Sequence, residues 1–214
     1  MSQAVLHSML FFIVAAGIFT MTPGLDTAMV LRTSTGEGAA AGKAVSVGIC
    51  IGLWVWGMSA AFGLTALLAA SQLAYNVVKW AGAAYLLYLG ISLLVKPRST
   101  AFDESDAVKN SGSKNRHKDF LLRGFFSNIL NPKVGLFYVT FLPQFIPHEV
   151  NVARYSLMLA AIHVVITLAW FWILVALTAT MRHFLSRSGV VRTLDRMTGC
   201  IFVGFGLKLA VSRN

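Results

Sequence analysis

Charge is what this chain has least of. Only 12% of its 214 residues are charged, and eight are acidic. A soluble domain carries about one quarter charged residues, so a water-facing globular protein is a poor first reading. Cysteine is nearly absent too. Cys50 and Cys200 form no C-x-x-C pair, which leaves no zinc or redox motif. They read as small apolar fillers. The chain has no Walker loop, so ATP is not the obvious energy source. No Ser-His-Asp or Cys-His cluster can be placed together, and the histidines form no metal-ligand spacing. No enzyme activity, metal or cofactor is therefore expected. Basic residues are missing from the first ten positions, so the charged head of a signal peptide is lacking. The first apolar run ends in Thr22-Pro23-Gly24, not a small-residue cleavage site, and reads as a retained span.

What is abundant is apolar surface, 57% of the residues. It falls into six stretches, roughly 4–22, 43–70, 72–95, 125–145, 152–180 and 190–211. A spanning helix needs about 20 predominantly apolar residues. Only helices or closed barrels satisfy their backbone in lipid. The runs are apolar all round without strand-like alternation, so an all-α integral membrane protein of six transmembrane helices is expected.

The net charge of +10 does not point to nucleic acid, because of where the charges lie. Arg32 and Lys43 follow span one. Lys96, Arg98, Lys109, Lys114, Arg116, Lys118 and Arg123 follow span three, and Arg182, Arg187, Arg192 and Arg196 cluster after span five. The alternate side has fewer: none at the N-terminus, Lys79 near span three, Arg154, and Lys208 and Arg213 at the end. Excess Lys and Arg marks the cytoplasmic side. Both termini are therefore expected outside, in the periplasm of a bacterial inner membrane, with the lipid bilayer as the main surroundings.

Residues 96–123 form the only long polar stretch, too poor in large apolar side chains to fold alone. They read as a flexible basic cytoplasmic linker between two halves, 1–95 and 124–214. The halves resemble one another. Trp54-Val55-Trp56 and Trp170-Phe171-Trp172 occupy the second span of each, and at the same spacing Gly90 falls on Gly206 and Val95 on Val211. Three spans per half is an odd number, as an inverted repeat requires, and many secondary transporters are built so.

The first spans match through proline. Thr22-Pro23-Gly24 faces Asn131-Pro132-Lys133. Proline removes a backbone donor and clashes with the preceding turn, and Gly24 adds freedom beside Pro23. Each first span is expected to break or kink there. A second helical piece after Pro23 would present its positive end at the break, where such ends bind anionic groups.

Asp26 is the acid nearest the apolar part of the chain on this reading. Intramembrane carboxylates are costly and usually line a polar pathway. It can pair with a substrate ammonium group, carry a proton, or cap the short helix. Asn128 and Asn131 can satisfy freed amides or bind substrate. Lys133 reads first as a residue that snorkels to the surface, and deeper it would attract a carboxylate. His163, between Ile162 and Val164, can relay protons, although a lone histidine more often hydrogen-bonds across a helix interface. Gly48-x-x-x-Gly52 and Gly57 give span two a small-residue face that permits a homo-oligomer without requiring one.

Thr22-Pro23-Gly24-Leu25-Asp26, the run Gly82 to Gly90, Asn128…Leu130-Asn131-Pro132-Lys133 and Phe141-Leu142-Pro143-Gln144-Phe145 occur in an order that resembles the lysine-exporter superfamily, specifically its LysE/RhtB homoserine and threonine efflux branch. The resemblance covers nearly the whole chain. It implies a six-span inner-membrane exporter of amino acids or close derivatives, driven by the proton gradient. The family's P-G-P element is altered here, with Leu25 at the second proline position.

On this reading the substrate site lies between the halves and uses Pro23, Gly24, Asp26, Asn128, Asn131, Pro132 and Lys133. Two rival readings are a metal-ion exporter, disfavoured by the lack of a carboxylate or histidine cluster, and a thiol–disulfide electron carrier. The second would need reactive cysteines in the first span of each half, whereas Cys50 and Cys200 fall in spans two and six. A non-transporting scaffold would gain nothing from Asp26 or the paired prolines.

Overall fold

The computed structural model describes residues 3–70, 72–97, 116–147, 149–185 and 187–211. The chain termini and residues 98–115, most of the expected linker, lie outside the described residues. Everything regular within them is helical. In chain order the helices are α1 (Gln3–Met21), α2 (Leu25–Glu37), α3 (Ala39–Ala70), α4 (Gln72–Val95), α5 (Arg116–Ile129), α6 (Pro132–Leu136), α7 (Val152–Ala176), α8 (Thr178–Leu185) and α9 (Ser188–Val211). Among the described residues, three helices are long and apolar enough to cross a membrane: Gln3–Met21, Ala39–Gly63 and Val152–Ala176.

Two of the expected boundaries fall elsewhere. Helix α5 starts at Arg116, so its first turns take in residues expected to belong to the linker. The stretch 125–145 is not one span. It contains the end of α5, the short α6, a π-helical turn at Phe137–Phe141 and a 3-10 turn at Leu142–Phe145. Pro143 accounts for the last change. It has no N–H to give back to the preceding turn. The helix widens ahead of it, and the Leu142 N–H reaches back to the Phe137 carbonyl. Such π-turns are rare and frequently mark functional sites.

Helix α3 runs through the middle of the packing, against α5 on one side and α7 on another, while α4 packs against α9. Between apolar helices in lipid the hydrophobic effect supplies little, and close van der Waals contact decides. Glycine makes that contact available. A Cβ on Gly48 would sit 2.0 Å from the Leu121 carbonyl oxygen, and one on Gly124 would sit 2.1 Å from that of Val45. The α3 and α5 backbones therefore touch through reciprocal glycines. Gly90 and Gly199 do the same for α4 and α9.

Two buried clusters flank the centre. One is aromatic, with Phe12, Phe19, Phe137, Phe141, Phe145 and Phe202 in mutual contact. Each such ring pair contributes about 0.5–1.5 kcal/mol beyond its area. The other, with Val30, Leu31, Val45, Ile49, Phe171 and Leu174, joins α2, α3 and α7. The candidate site lies between them.

Candidate functional site

The α-helical ladder stops at Thr22, whose N–H bonds the Ile18 carbonyl, and resumes when the Ala28 N–H bonds the Gly24 carbonyl. Pro23 stands between. The break leaves carbonyls at the end of α1 and amides at the start of α2 without helical partners. No side chain caps the α2 N-terminus. Gly24 is extended there (φ −159°), a conformation open to any residue, and a Cβ would meet only the Lys133 side chain, 3.7 Å away. What glycine provides at this point is room beside Lys133.

Each helix end at the break has a charge of the opposite sign. The Lys133 ammonium donates to the carbonyls of Thr22 (3.2 Å) and Phe19 (3.4 Å) and lies 4.5 Å from the centre of the Phe19 ring. A cation there meets the negative end of α1. Lys133 thus turns inward to the break, away from the snorkelling position the sequence suggests. Asp26, partly buried, sits in the first turn of α2, at its positive end. Its carboxylate accepts from Asn128 Nδ2 at 2.8 Å and from Ser127 Oγ at 3.3 Å.

The second break supplies these partners. Helix α5 ends at Ile129. The Asn131 side chain then accepts from the Lys133 N–H (3.1 Å) and caps α6, with Pro132 as its first residue. Proline is well suited to that position, where no N–H is needed. The cap aims Lys133 across to α1. Asn128, fully buried in the last turn of α5, leaves its Oδ1 without a partner against Gly52 of α3.

A cavity of about 30 Å³ lies at this junction. Of the seven predicted residues, Gly24, Asp26, Asn131 and Lys133 line it. Pro23, Asn128 and Pro132 stand behind and shape or hold the others. The apolar wall includes Ile49, Leu53, Val134 and Phe171. Thr20, His163 and Thr167 line it as well.

Sequence pattern alone passes over several of these polar groups. Ser127 adjoins Asn128 and could have been found by proximity. Thr20, Thr27 and Thr167 are single hydroxyls in apolar runs and give no signal. Asp195 is a correction: Asp26 is not alone in apolar surroundings, because Asp195 is fully buried in α9, one turn before Thr198. The Thr198 hydroxyl in turn meets that of Thr22 at 2.5 Å, tying α9 to the break.

Gly52 gives a direct test of the Asn128 support. A Cβ at Gly52 would lie 2.6 Å from Asn128 Oδ1 and 2.9 Å from its Cβ. Gly52→Ala is expected to push the amide off Asp26 at an overpacking cost of about 1–3 kcal/mol. Transport per molecule in the membrane should fall about 5- to 150-fold on that account. Unchanged transport in G52A, measured against protein in the membrane fraction, would show that Asn128 does not support Asp26.

Helices that end beside Pro23 and Pro132 thus bring Asp26 and Lys133 to the lining of one small cavity. Residues 17–213 match the LysE type translocator family, and the chain belongs to it. It is accordingly a transport protein and not an enzyme. It is 35% identical to the uncharacterized membrane protein YrhP of Bacillus subtilis, over 97% of this chain and all of that one. It is 30% identical to a leucine efflux protein of Enterobacter, over 93% of each chain. A leucine efflux protein of Klebsiella pneumoniae is 29% identical over 95% of this chain and 94% of its own. No solved structure matches.

Proposed function

We propose that the protein exports amino acids with apolar side chains, leucine among them, from the bacterial cytoplasm across the inner membrane in exchange for protons. The observation that carries this is the pair of opposite charges, Lys133 and Asp26, across the break at Pro23. An amino acid is a zwitterion of complementary pattern. Its carboxylate would be received by Lys133 and the uncapped amides of α2, and its ammonium group by Asp26. Asn128 and Ser127 hold Asp26 in place. Ile49, Leu53 and Phe171 offer an apolar wall for the side chain. The name of the leucine efflux relatives supports that choice.

The same proposal includes a six-span, 3+3 inverted repeat, with halves 1–95 and 124–214 and both termini periplasmic. Support comes from the packing: the second long helix of each half, α3 and α7, meet one another, as do the last, α4 and α9. Elements related by a two-fold axis pair in this way. The cavity holds about 30 Å³, room for a water molecule or two. Small-molecule pockets enclose about 300 Å³ or more. The closed arrangement must therefore open to admit substrate, and rocking of the halves would expose the site to one side at a time. Proton and substrate would be carried in turn.

The test is efflux of a panel of labelled amino acids from cells expressing the protein, with and without a protonophore. Faster efflux of leucine or a close analogue, lost with the protonophore, is the expected result. No acceleration for any amino acid, from protein present in the membrane, would overturn the assignment.

A further inference from the structure

A second polar cluster lines the same cavity as Asp26. His163, fully buried in α7, has both ring nitrogens occupied. Nε2 is 3.2 Å from the Thr20 hydroxyl of α1, and Nδ1 is 3.1 Å from the Tyr138 hydroxyl in the π-turn. Thr167, one turn along α7, stands 3.5 Å from Thr20. Around these groups the surface is aromatic, with Phe12, Phe19 and Phe137 packed on the imidazole.

The chemistry of this cluster is specific. Both partners of the ring are hydroxyls, and a hydroxyl can give or take a hydrogen bond. A neutral imidazole donates at one nitrogen and accepts at the other. An imidazolium donates at both. The network fits either form, with only hydroxyl rotations between them, and no hydrogen bond is lost. A carboxylate or backbone carbonyl in place of Thr20 or Tyr138 would have fixed that nitrogen as a donor. Thr20, His163 and Thr167 of this cluster line the cavity.

We propose that His163 holds the counter-transported proton, at a position separate from the Asp26–Lys133 substrate site. This rests on the proton-coupled exporter reading and names the group that does the coupling. The proton adds to the lone pair of the nitrogen that accepts in the neutral ring, and leaves from the same atom. The charged and titratable groups around it come from several elements. Lys133 of α6 and Asp26 of α2 line the same cavity as the ring. Tyr138 bonds the ring from the π-turn, and Cys50 comes up from α3, its thiol 3.9 Å from the Val164 carbonyl. Helix α9 carries Asp195, buried near the break.

Lys133 makes the coupling physical. Two cations on the wall of one small cavity repel. A proton on His163 drives the Lys133 ammonium toward Asp26, and an Asp26 paired with Lys133 no longer receives a substrate ammonium group. When the proton leaves, Lys133 returns to the α1 carbonyls and Asp26 is free. Proton and substrate then exclude one another through two residues, as an exchange of one for the other requires.

The experiment uses purified full-length protein in lipid vesicles and two assays. Leucine exchange at uniform pH reports the substrate site. Leucine movement driven by an imposed pH gradient reports coupling. For His163→Gln, exchange is expected to stay within about threefold of the parent, while the gradient-driven component, which a typical coupling makes about 5–150-fold, is lost. The pH profile of exchange should also flatten. Retained gradient-driven movement in H163Q overturns the proposal. So does a folded H163Q that neither exchanges nor binds leucine, since that is a packing role. If H163Q does not assemble, Tyr138→Phe keeps the ring packing and removes one imidazole partner. It is expected to shift the pH midpoint of exchange, and an unmoved profile overturns the proposal. A parent protein that exchanges leucine but ignores a pH gradient rejects proton coupling itself. A parent that does not exchange leucine rejects the substrate reading.

Discussion

Replacing Asp26 with asparagine is expected to cut leucine transport by about 30-fold or more and leave the amount of protein in the membrane unchanged. Two effects of the substitution have to be compared. The negative charge in the first turn of α2 favours the helix by about 0.3–1 kcal/mol through its dipole. That loss is small against a total stability of about 5–15 kcal/mol. Asparagine has nearly the same shape, and its carbonyl oxygen can still accept from Asn128 Nδ2, which lies 2.8 Å from the native carboxylate. The fold should therefore hold. A buried ammonium deprived of its counter-charge costs about 2–5 kcal/mol, which is the source of the transport defect. Labelled leucine efflux, divided by protein in the membrane fraction, separates the two effects. A D26N protein that exports at half the native rate or better would remove Asp26 from substrate binding.

Gly48→Leu is expected to eliminate most folded protein. A Cβ at this position already lies 2.0 Å from the Leu121 carbonyl oxygen and 2.9 Å from the Phe125 nitrogen. Both are backbone atoms, so no side-chain rotation relieves the clash. The helices must separate, and separation also opens the reciprocal contact at Gly124. Overpacking alone costs about 1–3 kcal/mol, and the lost backbone contact adds to it. Any protein that survives will have moved α5, and with it Ser127 and Asn128, away from Asp26. Gly63 is the control. It belongs to the same helix, and a Cβ there would meet nothing within 4 Å. Gly63→Leu should leave expression and transport near native levels. Equal losses in G48L and G63L, by detergent-extracted yield and size-exclusion profile, would mean that a larger side chain anywhere on this helix, and not the α3–α5 contact, is responsible.

Much of this arrangement is legible in the chain before folding. Apolar runs longer than a bilayer crossing announce helices, and proline within such a run announces a place where the ladder stops. Pro23 and Pro132 do this on their own, whatever surrounds them. The meeting of Asp26 with Asn128, and the seat of Asn131 beside the cavity, follow once the two breaks are brought together. Lys133 is harder. A long side chain near a helix end can turn outward to water or inward to freed carbonyls. The choice depends on where the end of α1 lies in space, which local sequence does not contain. The π-turn at Phe137–Phe141 has a local cause in Pro143, yet its consequence, the aim of the Tyr138 hydroxyl at His163, is tertiary. Thr20, Thr167 and Asp195 are hidden for a related reason. A single polar residue in an apolar helix carries no periodic signal, and only the facing helix reveals what it meets.

The most direct test of the central claim is competition for leucine exchange in vesicles containing the purified protein. Leucinamide lacks the carboxylate that Lys133 and the α2 amides would receive. Isocaproate lacks the ammonium group that Asp26 would receive. If the zwitterion is read at both ends across the break, unlabelled leucine will compete and neither analogue will do so at comparable concentration. Competition by isocaproate as strong as by leucine would contradict a role for Asp26 in holding the ammonium group, and equally strong competition by leucinamide would contradict the role given to Lys133.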